Sequence, residues 1–289
     1  MKKKKILVCG ADGFLGSHLT DRLYSKGYSL RVFDRFRDGR SLNLGHLEDK
    51  IHFIPGDFQN QHDIDNALKG IEHVFHFVST TTPASSSRDP IIDIEANLKS
   101  TVRLLEKCVQ NGVKQVVFAS SGGTIYGNQE LEKLSETHLT CPISPYGISK
   151  LAIERYMEYY RINFGLNFLI LRYSNPYGAR QNTVGSQGVI PIFLSRLMRE
   201  EPITIFGDGG NIRDYIFIDD CISMSVDIFE KPDRSYNLYN IGSGTGISLN
   251  RIVEIMERVT GKSFHIIKQP ARSCDLRRFV LDNSRIVKE

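Results

Sequence analysis

Tyr146 and Lys150 are spaced to do proton chemistry. They stand four residues apart in Tyr-Gly-Ile-Ser-Lys, directly after Pro145, and at that spacing both side chains share one face of a helix. A free phenol, with a pKa near ~10, is a poor base at neutral pH. A neighbouring ammonium favours the phenolate and draws its pKa toward the working range. The same spacing also arises on solvated helix faces, so the surroundings decide. Here the pair follows an apolar run ending in Ser120-Ser121, and the chain opens on a glycine-rich turn.

That turn is Gly10-Ala-Asp-Gly13-Phe14-Leu15-Gly16, placed between the apolar run Ile6–Cys9 and a segment of helical period. Glycines there permit a tight turn and let backbone N–H groups approach a pyrophosphate at the positive end of a helix. The spacing G-x-x-G-x-x-G matches the dinucleotide fingerprint in part. Asp34 completes it, 18 residues beyond Gly16 at the end of the second apolar run, where a carboxylate accepts hydrogen bonds from a ribose diol. It should repel a 2′-phosphate, which favours NAD over NADP, with Arg35 and Arg37 softening the preference. Asp57, in Gly56-Asp57-Phe58, is placed either near the adenine or simply as a turn residue after Pro55. A bound nicotinamide adds positive charge beside Tyr146, and Lys150 is positioned to bond its ribose.

Such residues need a frame. Ile6–Cys9, Leu30–Phe33, Ile51–Ile54, Val74–Phe77, Val116–Ala119 and Phe168–Leu171 read as buried strands. Phe14–Lys26, Asp63–Leu68, Asp93–Asn111 and Tyr146–Phe164 read as the helices between them. Gly27, Gly70, Gly112 and Gly165 sit where those helices should stop. This alternation predicts an α/β fold with a doubly wound parallel sheet, Rossmann-like, over residues 1–172. Beyond 172, Gly and Pro become frequent and helices are expected near Val189–Arg199, Asp219–Phe229 and Leu249–Thr260. Residues 173–289 thus read mainly as a smaller C-terminal α/β substrate-binding region, with a segment near 210–230 either part of it or returning to the first domain.

With 289 residues, 40% hydrophobic and 24% charged, the chain has ample length for a core, and disorder is excluded. Its net charge of +4 comes partly from Lys2–Lys5, which argues against a dedicated nucleic-acid binder. Five scattered cysteines without a C-x-x-C spacing argue against zinc and disulfides, and no metal is expected. No apolar run approaches the ~18 residues of a membrane span, and Ile6–Cys9 is too short for a signal peptide. A cytoplasmic protein is expected.

Taken together these motifs resemble the extended short-chain dehydrogenase/reductases, in the branch of NAD-dependent epimerases and dehydratases that act on nucleotide sugars. The matching residues run nearly end to end: the three turn glycines, Asp34, Asp57, Asn97, Ser120-Ser121 with Ile125-Tyr126-Gly127, Tyr146 and Lys150, Leu171–Gly178, Arg213-Asp214-Tyr215, Asn240–Gly244 and Arg272 with Asp275. The resemblance implies a cofactor site that also takes in Phe14, Leu15, Phe58, Phe77, Val78, Asn97, Ser120 and Tyr173. Family dehydratases carry an Asp-Glu pair before the apolar-Tyr-Gly end, and decarboxylating members a Glu. This chain has Gly123-Thr124, so loss of water or CO2 lacks its usual proton carrier, while epimerisation and simple oxidoreduction survive. Gly122 departs from the Ser or Thr that contacts the sugar 4-OH in many epimerases; Ser121, Thr124 or a water would have to supply that hydroxyl. Ser79–Pro83 also departs, replacing an Ala-Gly stretch with a lysine by either substrate contacts or an ordinary loop.

For a UDP-sugar the resemblance assigns Arg213 and Arg272 to the diphosphate, gripped by guanidinium forks, and Asn175 to the diphosphate or sugar. Competing readings are ion pairs of Arg213 with Asp214 or Asp219 and of Arg272 with Asp275. The segments Gly188–Pro191, with Val189, and Ile203–Gly207, with Thr204 and Phe206, resemble those holding uracil; Tyr215 and Asp275 complete that side. Phe279 falls where a bulky ring disfavours an N-acetyl group at the sugar C2. A closing helix beyond Glu289 and a homodimer through the Asp93–Asn111 and Tyr146–Phe164 helices are also implied. The reaction expected is 4-epimerisation between UDP-glucose and UDP-galactose through a 4-keto sugar with NAD kept bound. Its rivals are an epimerase or reductase acting on a GDP-, dTDP- or N-acetylated sugar, and a non-catalytic NAD-binding regulator.

Overall fold

The computed structural model describes residues 4–36, 39–129, 131–183, 188–271 and 276–289. The first half alternates strand and helix: β1 (Lys5–Cys9), α1 (Phe14–Ser25), β2 (Ser29–Asp34), β3 (His52–Pro55), α2 (Gln61–Leu68), β4 (His73–His76), α3 (Pro83–Arg88), α4 (Pro90–Asp93), α5 (Ser100–Gln110), β5 (Gln115–Ser121), α6 (Gly122–Ile125), α7 (Pro145–Phe164) and β6 (Asn167–Tyr173). The second half adds β7 (Asn175–Tyr177), α8 (Val189–Met198), β8 (Ile203–Phe206), β9 (Ile212–Phe217), α9 (Ile218–Glu230), β10 (Leu238–Ile241), β11 (Gly246–Ser248), α10 (Leu249–Thr260), β12 (Ile266–Gln269), β13 (Arg278–Phe279) and α11 (Ser284–Lys288). None of the described helices is long and apolar enough to cross a membrane.

Seven strands form one sheet in the order β3-β2-β1-β4-β5-β6-β10, every neighbouring pair parallel. Helices cover both faces, which is why the strands read as continuous apolar runs. Ile6, Val8 and Val117 face a core shared with Leu19 and Leu23 of α1 and with Val226 and Phe229 of α9. Leu7, Phe118 and Ile170 face the other, shared with Leu104, Ile153 and Met157. The chain that leaves the sheet after Tyr173 therefore comes back twice, as α9 against α1 and as β10 beside β6. A smaller core joins α8, β8 and α10 through Phe193, Leu197, Ile205 and Met256.

The expected helix over Asp93–Asn111 starts earlier, at Pro90, and runs through a π-helical turn to Gln110. Asp89 caps α4 by accepting from the Ile92 N–H at 3.1 Å, and the π-helical turn over Ile94–Lys99 joins α4 to α5. Such turns carry one extra residue and re-aim the side chains they hold; here the side chain is that of Asn97.

One buried ion pair ties the halves of the sheet together. Arg172 on β6 grips Glu154 on α7 with two hydrogen bonds of 3.0 and 2.6 Å, both side chains only 4% exposed. Ser120 on β5 donates to the same carboxylate at 2.7 Å. Arg172 also donates to the Tyr126 hydroxyl at 2.9 Å, and Tyr126 donates to Asn240 of β10 at 2.8 Å. Removing one partner of such a pair leaves an uncompensated buried charge, worth about 3–5 kcal/mol. Glu154→Gln should lower the urea-unfolding free energy by that order, while Glu154→Met combined with Arg172→Met should recover most of the loss. A single variant as stable as wild type would show that the pair does not hold the sheet.

Candidate functional site

The glycine turn lies at the C-terminal end of β1 and opens α1. Gly10 has a φ of 82°, and a Cβ there would stand 2.8 Å from the Phe77 carbonyl carbon and the Val78 nitrogen. At Gly16 a Cβ would fall 2.0 Å from the Gly10 carbonyl oxygen. The turn is thus pressed against the end of β4, where Phe77 and Val78 sit, with no room for side chains. Phe14 and Leu15 form the first turn of α1, where N–H groups lack intrahelical acceptors. No side chain caps that end and no acidic residue occupies its first turn. This is a cradle for an anion, and it fits a dinucleotide pyrophosphate.

Asp34 ends β2 beside the cradle. Its carboxylate accepts from the Asp12 N–H at 2.9 Å and the Arg35 N–H at 2.7 Å, one bond per oxygen, which leaves lone pairs for a ribose diol. Asp12 itself went unnoticed in the sequence: its carboxylate accepts from Ser41 and from the N–H groups of Leu42 and Asn43, folding that loop down beside the turn. Arg37 lies outside the described residues. Asp57 closes a local turn, accepting from the Gln59 N–H at 2.9 Å.

Four residues expected at the cofactor have partners within the protein. Asn97 donates to Thr81 and Asp93 and accepts from the Thr80 N–H and hydroxyl, which exhausts its amide. It braces the Ser79–Pro83 loop instead of reaching a ligand. The Phe58 ring is stacked on His76 inside the core, with centroids 4.8 Å apart. The Tyr173 hydroxyl is buried against Ser225 at 2.9 Å. Ser120 is likewise spent, on Glu154.

Tyr146 and Lys150 occupy the first turns of α7, started by Pro145 and capped by Ser144, whose hydroxyl accepts from the Gly147 N–H. The Lys150 ammonium donates to the Ala119 carbonyl at 2.8 Å and lies 5.5 Å from the centre of the Tyr146 ring. Burial pushes Lys150 down to about 8, opposed by Asp93 and Glu154. Burial also pushes the Tyr146 phenol up to about 12, opposed by a hydrogen bond from Ser79, while the Asp93 charge adds to the rise. The expected lowering invokes the ammonium together with a positive nicotinamide; in the protein by itself desolvation dominates and the phenol is raised.

Beside this pair stands α6. Ser121 is its N-cap residue and makes no capping bond. Gly122 has no space for a side chain, since a Cβ would meet both Leu281 methyls at 2.9 and 3.0 Å. Thr124 follows, its Oγ1 buried and without a hydrogen-bond partner.

The substrate side is assembled by register. β7, β9 and β13 align Asn175 with Tyr215 and Phe279 with Arg213. Asn175 donates to the Asp214 carbonyl at 2.9 Å. Asp214 is fully buried, its carboxylate accepting from Ser243, Gly244 and Leu281. That overturns the reading of Asp214 as a surface partner of Arg213. Val189 starts α8, and Thr204 and Phe206 lie on β8, which pairs with β12. Phe279 is 2% exposed and packs with Tyr126, Leu134 and Leu281. Arg272 and Asp275 lie outside the described residues.

Comparison with known proteins supplies the family. A model of the NAD dependent epimerase/dehydratase family matches residues 6–242. The UDP-glucose 4-epimerase of Mycolicibacterium smegmatis is 35% identical over 292 residues, covering 97% of this chain and 90% of that protein. The crystal structure of Thermotoga maritima UDP-glucose 4-epimerase with UDP-glucose superposes with a TM-score of 0.91 at 36% identity, covering 98% of this chain and 91% of that one. A UDP-N-acetylglucosamine 4-epimerase from Methanobrevibacter ruminantium, solved with UDP-N-acetylmuramic acid, has the same TM-score at 29% identity, covering 100% and 92%. With its glycine cradle after β1, Asp34 at the end of β2 and the Tyr146–Lys150 pair on α7, the chain belongs to the NAD dependent epimerase/dehydratase family, and it is an NAD-dependent sugar-nucleotide epimerase.

Proposed function

We propose that this enzyme interconverts UDP-glucose and UDP-galactose at C4 with NAD retained through the cycle. The observation that carries the reading is the make-up of α6: beside Tyr146 and Lys150 it offers Gly122, Gly123 and Thr124 and no carboxylate, so it can assist oxidation and reduction at C4 but not the loss of water. When bound, NAD takes up the C4 hydride and gives it back. Tyr146 as phenolate removes the 4-OH proton while that C–H bond breaks, leaving a C4 ketone. When the turned sugar is reduced on its other face, Tyr146 gives the proton back to the alkoxide. Lys150 supplies the charge that favours the phenolate, and its bond to the Ala119 carbonyl fixes its place. The ring must be free to turn, so affinity has to reside in the nucleotide contacts. Asn175, Val189, Thr204, Phe206, Arg213, Tyr215, Arg272 and Asp275 are assigned to those contacts. Phe279 is assigned to a preference for sugars without an N-acetyl group, an assignment that rests on the family resemblance, since its ring packs with Tyr126, Leu134 and Leu281.

A homodimer is part of the same reading. Ile91 and Ile92 of α4 are 62% and 54% exposed, and Ile148, Tyr159 and Ile162 of α7 are 55%, 49% and 68% exposed. These two helices pack together, and so wide an apolar face on a monomer marks an interaction surface. Sedimentation at micromolar concentration should give the mass of two chains; a monomer would sink the proposal.

Proton NMR of the protein with UDP-galactose and no added cofactor should show the UDP-glucose anomeric signal growing in. Tyr146→Phe should cut the rate by about 10²–10⁴-fold. No conversion even with added NAD would remove the UDP-hexose reading.

Lys150 makes stability depend on pH with a definite sign. Its folded pKa is about 8 against an ordinary 10.5, so between these values the unfolded chain binds more protons and stability rises with pH. In cofactor-stripped protein, Lys150→Met should be more stable than wild type at pH 7, and the gap should close as pH rises from about 8 toward 10.5. Urea midpoints that run parallel for the two proteins across that window would refute a buried, strained ammonium.

A further inference from the structure

We propose that Leu281 and Gly122 form a complementary pair that moves the sugar-facing hydroxyl of this site from position 122 to Thr124. The inference rests on the epimerase reading and assigns one more catalytic group within it. A Cβ at Gly122 would meet the two Leu281 methyl carbons at 2.9 and 3.0 Å and the Tyr173 carbonyl oxygen at 3.2 Å. The first two contacts are closer than side-chain carbons approach, so one partner has to move. Leu281 is held from every side. It is fully buried among Tyr126, Leu134 and Phe279, and its N–H donates to Asp214 at 3.2 Å. Its neighbours are fixed as well, since Leu134 N–H donates to the Val280 carbonyl and Asp282 N–H to the Leu134 carbonyl, both at 2.9 Å. Leucine thus fills the space in which a serine side chain at 122 would have to lie.

The other hydroxyls near Tyr146 are committed. Ser120 serves Glu154, Ser79 bonds both the Thr81 carbonyl and the Tyr146 phenol, Ser86 accepts from the Tyr146 N–H, and Thr81 is bonded to Asp93. Ser121, which makes no capping bond, and Thr124 are the exceptions, and of the two it is the Thr124 Oγ1 that is buried without a partner, although Thr124 as a whole is partly exposed. Its main chain touches the catalytic helix, with its carbonyl oxygen 2.7 Å from where a Cβ on Gly147 would stand. A buried hydroxyl without a partner is costly. A sugar 4-OH held against Tyr146 supplies the missing partner, and Thr124 then aligns the 4-OH for the phenolate.

Two sets of variants test this. Gly122→Ser should lower the thermal unfolding midpoint, and Gly122→Ser with Leu281→Ala should be more stable than Gly122→Ser alone; this arm needs no sugar and stands whatever the substrate proves to be. In the kinetic arm, run with the nucleotide sugar that wild type turns over, Thr124→Val should lower kcat about 10²-fold with KM nearly unchanged, and Thr124→Ser should retain most of the activity. Adding Gly122→Ser and Leu281→Ala to Thr124→Val should restore at least about ten-fold of the lost kcat, because a hydroxyl then stands again beside the sugar. Wild-type kcat in Thr124→Val, or wild-type stability in Gly122→Ser, would overturn the proposal. Absence of turnover by wild type would instead fail the epimerase reading, and Thr124's role with it.

Discussion

The site depends on one interaction, the doubly hydrogen-bonded pair of Glu154 and Arg172 in the middle of the protein. Glu154 lies one helical turn beyond Lys150, so whatever fixes Glu154 fixes the ammonium and, one turn earlier, the phenol. Arg172 holds it from β6 and Ser120 from β5. The same guanidinium reaches Tyr126, and through it Asn240, whose amide donates to the carbonyls of Leu134 and Asp282. One chain of polar contacts therefore runs from the catalytic helix to the segment that carries Phe279 and Leu281. In a low-dielectric interior such a network is stable only when every member is satisfied, so the catalytic helix and the closing segment cannot shift independently without breaking it.

Burial acts on the catalytic pair in opposite directions, and this shapes the chemistry. It raises the phenol and lowers the ammonium, because desolvation disfavours whichever form is charged. At neutral pH the pair is therefore a neutral tyrosine beside an ammonium that holds its proton less tightly than in water. Asp93 sits beneath both, gripped by Thr81 and Asn97. Its charge supports the ammonium and opposes the phenolate. A tyrosine so placed becomes a base only when further positive charge arrives beside it, which couples its reactivity to occupation of the cofactor cradle.

Much of this frame was legible from residue types. Each strand expected in the first half exists within a residue or two, because a strand covered on both faces must be apolar throughout. Gly27, Gly70, Gly112 and Gly165 do take positive φ values, between 68° and 82°. What escaped were features decided by partners distant in sequence. Leu238–Ile241 is short and contains an asparagine, and nothing local marks it as the edge of the main sheet. Asn97 matches a motif position, yet its amide is consumed by Thr80, Thr81 and Asp93, contacts created by a π-helical turn that periodicity does not announce. Spacing gives the proximity of Tyr146 to Lys150 but not the depth at which both lie, and that depth raises the phenol. Glu154 offered a signal that was overlooked: a carboxylate four residues beyond Lys150 is on the same helical face.

The glycines of α6 show how a missing side chain can be informative only once its surroundings are known. In the sequence, Gly122 reads as the loss of a functional hydroxyl. In the fold it is the space that Leu281 needs, and Leu281 in turn is placed by Asp214, which also secures Ser243 and Gly244. The substitution at 122 is therefore one half of an exchange between the catalytic turn and the closing segment. It leaves the turn without a fixed hydroxyl at its start and with an uncommitted one at Thr124. An uncommitted hydroxyl suits a reaction in which the sugar itself has to turn: it can align the 4-OH during proton transfer and let go while the ketone changes face.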